Sequence, residues 1–312
     1  MPTAGAAALP MPSRRIPPGT CSRSPSPEAG SGMKIAIASG KGGTGKSTVA
    51  ANLAWALARS RDVALVDCDV EEPNLHLFFP APATEMPVTT PVPEIDAERC
   101  TLCGECGKFC RFGALAVLKD SVLTFPHLCH SCGGCTLVCP QGAVREVPRT
   151  IGRVTCSRPL PRLVLISGIL NEGEVQAPAV IRAAKTLAEG HPLTLYDASP
   201  GIACPVIETL EGSDACILVT ESTPFGLHDL RLAVEVAETL GISAGVVINR
   251  SDGQDEATVA FCREHGLPVL MTIPFSREIA AVQNRGGLIA ALLPGWEERF
   301  AGLFEAVPGV SP

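Results

Sequence analysis

The stretch from Ser39 to Thr48, SGKGGTGKST, has residue types and spacing suited to holding a phosphate. Gly40, Gly45, Lys46 and Ser47 fit the pattern G-x-x-x-x-G-K-[ST] in register. In such a loop the glycines, here Gly40, Gly42, Gly43 and Gly45, let backbone N–H groups turn inward around a phosphate. The helix that follows adds the partial positive charge of its N-terminus. Lys46 is then expected to reach the β- and γ-phosphates and the Ser47 hydroxyl to ligate Mg²⁺. Lys41, Thr44 and Thr48 complete the expected nucleotide cradle.

Eight of the fourteen cysteines lie between Cys100 and Cys139. Cys100, Cys103, Cys106 and Cys110 form C-x₂-C-x₂-C-x₃-C, and Cys129, Cys132, Cys135 and Cys139 repeat it, followed by Pro140. Clustering of this kind without a secretory signal points to metal in a reducing compartment. The run is the one bacterial ferredoxins use for paired [4Fe–4S] clusters. Three closely spaced thiolates wrap one cluster, and the fourth is better placed for the other. Cys100, Cys103, Cys106 and Cys139 are therefore assigned to one cluster, and Cys129, Cys132, Cys135 and Cys110 to the second. Zinc also takes four cysteines, but its modules use two separated C-x₂-C pairs. Arg111 stands where ferredoxins have proline after the fourth cysteine, which removes no ligand. Phe112-Gly113-Ala114-Leu115 and Gln141-Gly142-Ala143-Val144 continue the two runs alike, as an internal repeat would. His127 and His130 flank Cys129, close enough to tune a cluster through hydrogen bonds.

The elements that must position these groups alternate between strand and helix. An apolar run, Ile35 to Ala38, precedes the glycine-rich loop, and a helical pattern, Val49 to Arg59, follows it. A strand from Val63 to Val66 ends in Asp67-Cys68-Asp69, and another from Leu193 to Tyr196 ends in Asp197-Ala198-Ser199-Pro200-Gly201. Acids at the carboxyl ends of parallel strands sit where open α/β sheets bind ligands. Further strands are expected over Leu163 to Ile166, Ala215 to Thr220, Ala244 to Ile248 and Leu267 to Ile273. Helices are expected over Ala179 to Ala188, Gly226 to Leu240, Ile279 to Leu293 and Trp296 to Ala306. Pro80 to Pro93 carries five prolines and reads as an irregular connector. Residues 1–32, rich in Pro, Ser, Ala and Gly, read as a disordered tail, with Met33 a natural start for the fold.

Lys41 narrows the family. KGGTGKST resembles the phosphate loop of the MinD/ParA/nitrogenase iron protein group of ATPases, and the chain is identified as a MinD-superfamily ATPase with an inserted ferredoxin domain. The resemblance implies a doubly wound, mostly parallel α/β sheet of the P-loop NTPase type over residues 33–92 and 149–312. An α+β two-cluster ferredoxin-like insert would occupy 93–148. It implies ATP, Mg²⁺ and two [4Fe–4S] clusters as ligands, with Lys41 crossing the interface of a homodimer, or of a heterodimer with a related ATPase. Asp69 would position the attacking or Mg²⁺-bound water, Asp197 would bond a Mg²⁺-bound water, and Asn249 would contact the adenine. Cys204, just past Asp197, could join a cluster between subunits or remain an idle thiol.

The resemblance supports ATP hydrolysis coupled to electron transfer toward a redox partner. The alternative is an Mrp-like carrier delivering clusters to apo-proteins. A MinD-like positioning protein would need a basic amphipathic C-terminal helix, and Trp296 to Pro312 offers only Arg299 as a cation. The net charge of −7 argues against a nucleic-acid binder. No apolar run reaches the length of a membrane span, so a soluble, cytoplasmic protein is expected.

Overall fold

In the computed structural model, which describes residues 32–310, the chain opens with strand β1 (Met33–Ala38), turns into helix α1 (Lys46–Leu57) and returns as β2 (Val63–Asp67). The tail expected over 1–32 lies, Gly32 apart, outside the described residues. Strand β3 (Ala83–Ile95) leads into the cysteine-rich segment, which holds α2 (Glu105–Phe109), β4 (Leu115–Val117), β5 (Val122–Thr124) and α3 (Gly134–Leu137). Strand β6 (Val144–Leu160) runs back beside β3. Alternation then resumes with β7 (Leu163–Leu170), α4 (Ala177–Leu187), β8 (Leu193–Asp197), α5 (Cys204–Leu210), β9 (Ala215–Glu221) and α6 (Pro224–Thr239). The chain ends with β10 (Ser243–Ser251), α7 (Glu256–Glu264), β11 (Val269–Pro274), α8 (Arg277–Gln283), α9 (Ile289–Leu292) and α10 (Trp296–Glu305).

These strands form one nine-stranded sheet in the order β11-β10-β9-β1-β8-β2-β7-β6-β3. All neighbours from β11 to β7 are parallel, while β6 and β3 are antiparallel additions. Strand alternation sorts the core into two layers. Ile35 and Ile37 pack with α1, α9 and α10, and Ala36 and Ala38 with α4, α5, α6 and α7. Phe300 is fully buried in the first layer, where truncation to alanine would cost about 3–5 kcal/mol. Strand order reverses around β1, so the crevice beyond its carboxyl end is the natural ligand site of the fold.

The proline-rich connector is not irregular. Pro87, Pro91 and Pro93 lie within β3, which pairs with β6 along its whole length. β3 is the outermost strand, and an edge strand tolerates proline because its outward N–H groups need no partner. β6 pairs with β7 only from Gly152 onward, so Val144–Ile151 and the end of β3 project as a two-stranded strap carrying the cysteine-rich segment. That segment has two small apolar clusters, Val92 with Ala114 and Cys129, and Cys106 with Leu115 and Val144. Ordering each residue costs about 1–2 kcal/mol, far more than so few buried side chains return. The helix expected over Ile279 to Leu293 is two short helices, broken where Gly286 adopts a φ of +69°.

Candidate functional site

β1 delivers the chain to the phosphate loop, and the loop ends where α1 begins at Lys46. Gly45 sits at φ +90°, and a Cβ there would lie 2.2 Å from the Asn249 side-chain nitrogen, so both conformation and space demand glycine. The first turn of α1 carries no acid, which leaves its N-terminal N–H groups and dipole available to an anion. Beside them lies a cavity of about 720 Å³ lined by Lys41 to Thr48, Asp69, Pro200 and Arg250, together with Asn284 and Gln283, whose Nε2 lies 3.4 Å from Thr48 Oγ1. Gly40 lies beneath the loop, where a Cβ would run into the α6 backbone at Asp229.

Three aspartates from two adjacent strand ends surround Lys46. Its Nζ donates to Asp197 Oδ1 at 2.9 Å, with both side chains almost wholly buried. Burial works against the charged ammonium, but Asp197, then Asp69 and Asp67, outweigh it and hold the Lys46 pKa above its ordinary value. Burial and the Asp197 charge push Asp67 up to about 7. Burial pushes Asp69 up to about 6, against the opposing pull of Lys46. Asp67 spends its oxygens on the backbone N–H groups of Asp69, Asn74 and Leu75, so it fixes the loop that presents Asp69. Asp69 lines the cavity. Three buried oxygens here, Asp197 Oδ2, Thr44 Oγ1 and Asn74 Oδ1, lack a hydrogen-bond partner. Such unpartnered oxygens beside a phosphate loop fit a site that takes a hydrated cation and a phosphate.

Lys41 is partly exposed and reaches Glu221 at 3.8 Å, while Arg250 binds the same carboxylate at 2.7 Å. Asn249 is buried, and its Nδ2 donates to Thr44 O at 2.7 Å, bracing the loop from below. Arg250, Gln283 and Asn284 were not singled out by sequence. Their only local signals are polarity at a strand end and just before a glycine pair that breaks a helix.

In the cysteine-rich segment the fourth cysteine of each run is exchanged. Cys100, Cys103, Cys106 and Cys139 line one narrow cavity, and Cys110, Cys129, Cys132 and Cys135 line a wider one of about 560 Å³. The two halves repeat in detail. Leu102 and Ser131, the third residues of the two Cys-x-x-Cys turns, both adopt positive φ, at +56° and +54°. Ala114 N–H donates to Cys110 Sγ at 3.3 Å, and Ala143 N–H to Cys139 Sγ at 3.2 Å. Burial raises the thiols of Cys106 and Cys135. At Cys139 burial acts in the same sense, but backbone N–H groups led by Ala143 overcome it and lower the pKa. A cubane takes its thiolates at four separate corners, and among the described residues no three His, Cys, Asp or Glu side chains close on a single ion. The eight donors, in two sets of four around separate cavities, fit two such clusters. Cys68, Cys216 and Cys262 are buried core thiols, all raised by burial, and Cys204 is exposed at the start of α5. No helix among the described residues is long and apolar enough to cross a membrane.

A parallel sheet with a phosphate loop at its switch point and acids on two neighbouring strand ends defines an α/β P-loop NTPase. The chain belongs to the CobQ/CobB/MinD/ParA nucleotide binding domain family, whose pattern matches residues 35–289, and it is an ATP-binding P-loop ATPase. It is 32% identical to the uncharacterized protein MJ0579 of Methanocaldococcus jannaschii over 227 residues, 70% of this chain and 80% of that one. A 47-residue stretch is 53% identical to an iron-sulfur cluster carrier protein of Pyrococcus furiosus, covering 15% of this chain and 16% of that one. The fold is shared with the septum site-determining protein MinD complexed with Mg-ADP from Pyrococcus horikoshii. That match has a TM-score of 0.53 and 20% identity over 87% of this chain and 93% of that one.

Proposed function

We propose that this protein is an iron–sulfur ATPase in which nucleotide-driven closure of a dimer is coupled to electron transfer through two [4Fe–4S] clusters. The observation that carries the reading is the cysteine arrangement: two sets of four thiols around two cavities, each set borrowing one ligand from the other run. Cys100, Cys103, Cys106 and Cys139 would hold one cluster and Cys110, Cys129, Cys132 and Cys135 the other, within a module spanning residues 93–148. When bound, the clusters supply one-electron chemistry, and the N–H···S bonds from Ala114, Ser131 and Ala143 tune it.

At the nucleotide site Lys46 exchanges Asp197 for the β- and γ-phosphates of ATP. Ser47 would ligate Mg²⁺, which would offset phosphate charge, and Asp197, freed from Lys46, would help hold the hydrated ion through the oxygen that now lacks a partner. Asp69, on its braced loop, orients the attacking water. Lys41 leaves Glu221 and crosses to the nucleotide of the partner subunit. Asn249 holds the loop shape on which all of this depends. The bond broken is the anhydride between the γ-phosphorus and the β–γ bridging oxygen: water oxygen bonds to the γ-phosphorus, ADP leaves with the bridging oxygen, and the water's protons pass to phosphate and solvent.

The second reading, a carrier that delivers clusters to apo-proteins, is favoured by the short likeness to iron-sulfur cluster carrier proteins. One experiment separates the two. The protein is purified without oxygen, iron and sulfide are counted, and EPR spectra of the reduced protein are compared with and without Mg-ATP. Eight irons per chain that resist chelator, with a spectrum or potential that shifts on Mg-ATP, support coupled electron transfer. Substoichiometric iron that moves to an apo-ferredoxin on adding Mg-ATP identifies a carrier instead.

A further inference from the structure

We infer that Gln176 is the positioning residue through which the nucleotide site acts on the cysteine-rich segment, and that it acts on the Cys129–Cys132 turn alone. The inference rests on the coupled reading above and names its route.

Gln176 occupies the N-cap position of α4, a helix of the nucleotide-binding part, but its side chain makes no capping hydrogen bond to that helix. Its Nε2 donates to the carbonyl oxygen of Cys129 at 2.7 Å and lies 3.2 Å from Ser131 Oγ and 3.4 Å from Thr90 Oγ1. An amide nitrogen has two protons, so it holds Cys129 and shares the other between the two hydroxyls. The turn it grips contains Ser131 at φ +54°, a conformation that L-residues adopt at a cost and leave readily when a support is withdrawn. Two residues earlier, Glu174 forms a two-pronged ion pair with Arg149 of β6, at 2.5 and 2.7 Å. The start of α4 is thus fastened both to the strap and to one cysteine turn.

The other half of α4 is fastened to α5. Arg182 pairs with Glu208 at 2.5 Å, and Lys185 donates to the carbonyls of Glu208, Thr209 and Glu211 at 2.6 to 3.0 Å. Those residues belong to α5 and its end, and α5 starts seven residues after Asp197, the partner of Lys46. Lys46 is therefore connected to Cys129 by side-chain contacts at Asp197, between α5 and α4 and at Gln176, joined by the 198–203 loop and the backbones of the two helices. Among the described residues, the matching turn at Cys100–Cys103 takes no hydrogen bond from this part of the molecule. The internal repeat makes that a controlled comparison, because Leu102 and Ser131 share backbone geometry and only Ser131 is gripped.

The test is hydrogen–deuterium exchange on the cluster-loaded, oxygen-free protein with Mg-ATP or Mg-ADP, reading peptides over 100–106 and 129–135, with EPR of the reduced clusters in parallel. In the wild type, exchange over 129–135 is expected to differ between nucleotides by a factor of about three or more, with 100–106 unchanged. Gln176→Glu keeps the shape but removes the donor, and is expected to abolish the difference while all eight irons remain. Arg182→Met, which cuts the route far from any cysteine, is expected to reduce it as well and guards against local damage by the first variant. A nucleotide response that persists in Gln176→Glu, or that falls on 100–106 in the wild type, overturns the inference and leaves the coupled reading standing. No response in either turn or either EPR signal of the wild type removes both.

Discussion

Replacing Lys46 by methionine tests the charge balance of the nucleotide site in the absence of nucleotide. Lys46 Nζ lies 2.9 Å from Asp197 Oδ1, with side-chain exposures of 7% and 0%. At an effective dielectric constant of about 20, that separation corresponds to an attraction of about 6 kcal/mol. Desolvation offsets part of it in the intact pair, but removing one partner strands the other, at a cost of about 3–5 kcal/mol. For a domain of this size the loss lowers the melting temperature by about 6 to 15 °C. The penalty should depend on pH with a definite sign. Asp67 and Asp69 have folded-state pKa values raised to about 7 and about 6, so the folded protein binds more protons than the unfolded chain between pH 4 and 7. Their contribution to stability is therefore most favourable at low pH and falls as pH rises through those values. Lys46 pulls both values down, so its loss raises them further and steepens the decline. The variant is expected to lose more stability at pH 8 than at pH 5, and Lys46→Met/Asp197→Asn to recover much of the loss. The assay is unfolding of nucleotide-free, cluster-loaded protein followed through Trp55 and Trp296, both in helices of the layer that includes α1. A Lys46→Met protein within about 1 kcal/mol of wild type at pH 8, the effect of an average point mutation, or one hurt more at pH 5, would refute the reasoning.

Asn249→Ala removes the donor to Thr44 O, and its expected cost is about tenfold in nucleotide affinity. Because the lost bond braces the loop, titration calorimetry should show ATP and GTP weakened alike; selective loss of ATP would make Asn249 a base-reading residue instead. Cys139→Ser should free Cys100, Cys103 and Cys106 for alkylation, mapped by mass spectrometry, and leave Cys129, Cys132 and Cys135 protected. The opposite pattern would mean that each run serves its own cluster. Lys41→Ala should keep Mg-ATP binding but lose nucleotide-dependent dimerisation in sedimentation velocity, and a variant that still dimerises would confine Lys41 to its own subunit.

What could be read from the sequence was what depends on local pattern. The phosphate loop, the acids at the ends of β2 and β8, and the two cysteine runs each lie within about ten or eleven residues, so spacing alone exposed them. The parallel strands were legible as short apolar runs, and their bounds moved by a few residues. β3 was missed because three prolines suppress every strand signal, and only its place at the sheet edge makes them tolerable. The brace from Asn249 and the grip of Gln176 were missed for another reason. They join residues 205 and 47 positions apart, and nothing in either neighbourhood announces the partner. Sequence placed Asn249 at a strand end, but its hydrogen bond with Thr44 exists only once β10 lies near β1 in the sheet.

The point of insertion accounts for how one chain accommodates both parts. β2 and β7 are neighbours in the parallel sheet, yet residues 68 to 162 intervene between them. A parallel pair needs a crossover in any case, and here the crossover is replaced by a segment that brings its own strands. β6 can join β7 only antiparallel, because Pro161 and Arg162 leave no more than a tight turn between them. β3 then closes the edge, and its prolines block a further strand from adding there. The sheet is therefore extended by the insertion and not interrupted by it. The same splice makes the loop that presents Asp69 the entrance to the cysteine-rich segment, with Asp67 fixing its backbone at Asn74 and Leu75. On the route inferred above, a change at Asp197 would pass through α5 and α4, whereas the loop carrying Asp69 is pinned by the hydrogen bonds of Asp67 to Asn74 and Leu75. Of the three acids around Lys46, Asp197 alone stands at the start of the route inferred to reach the cysteine turn.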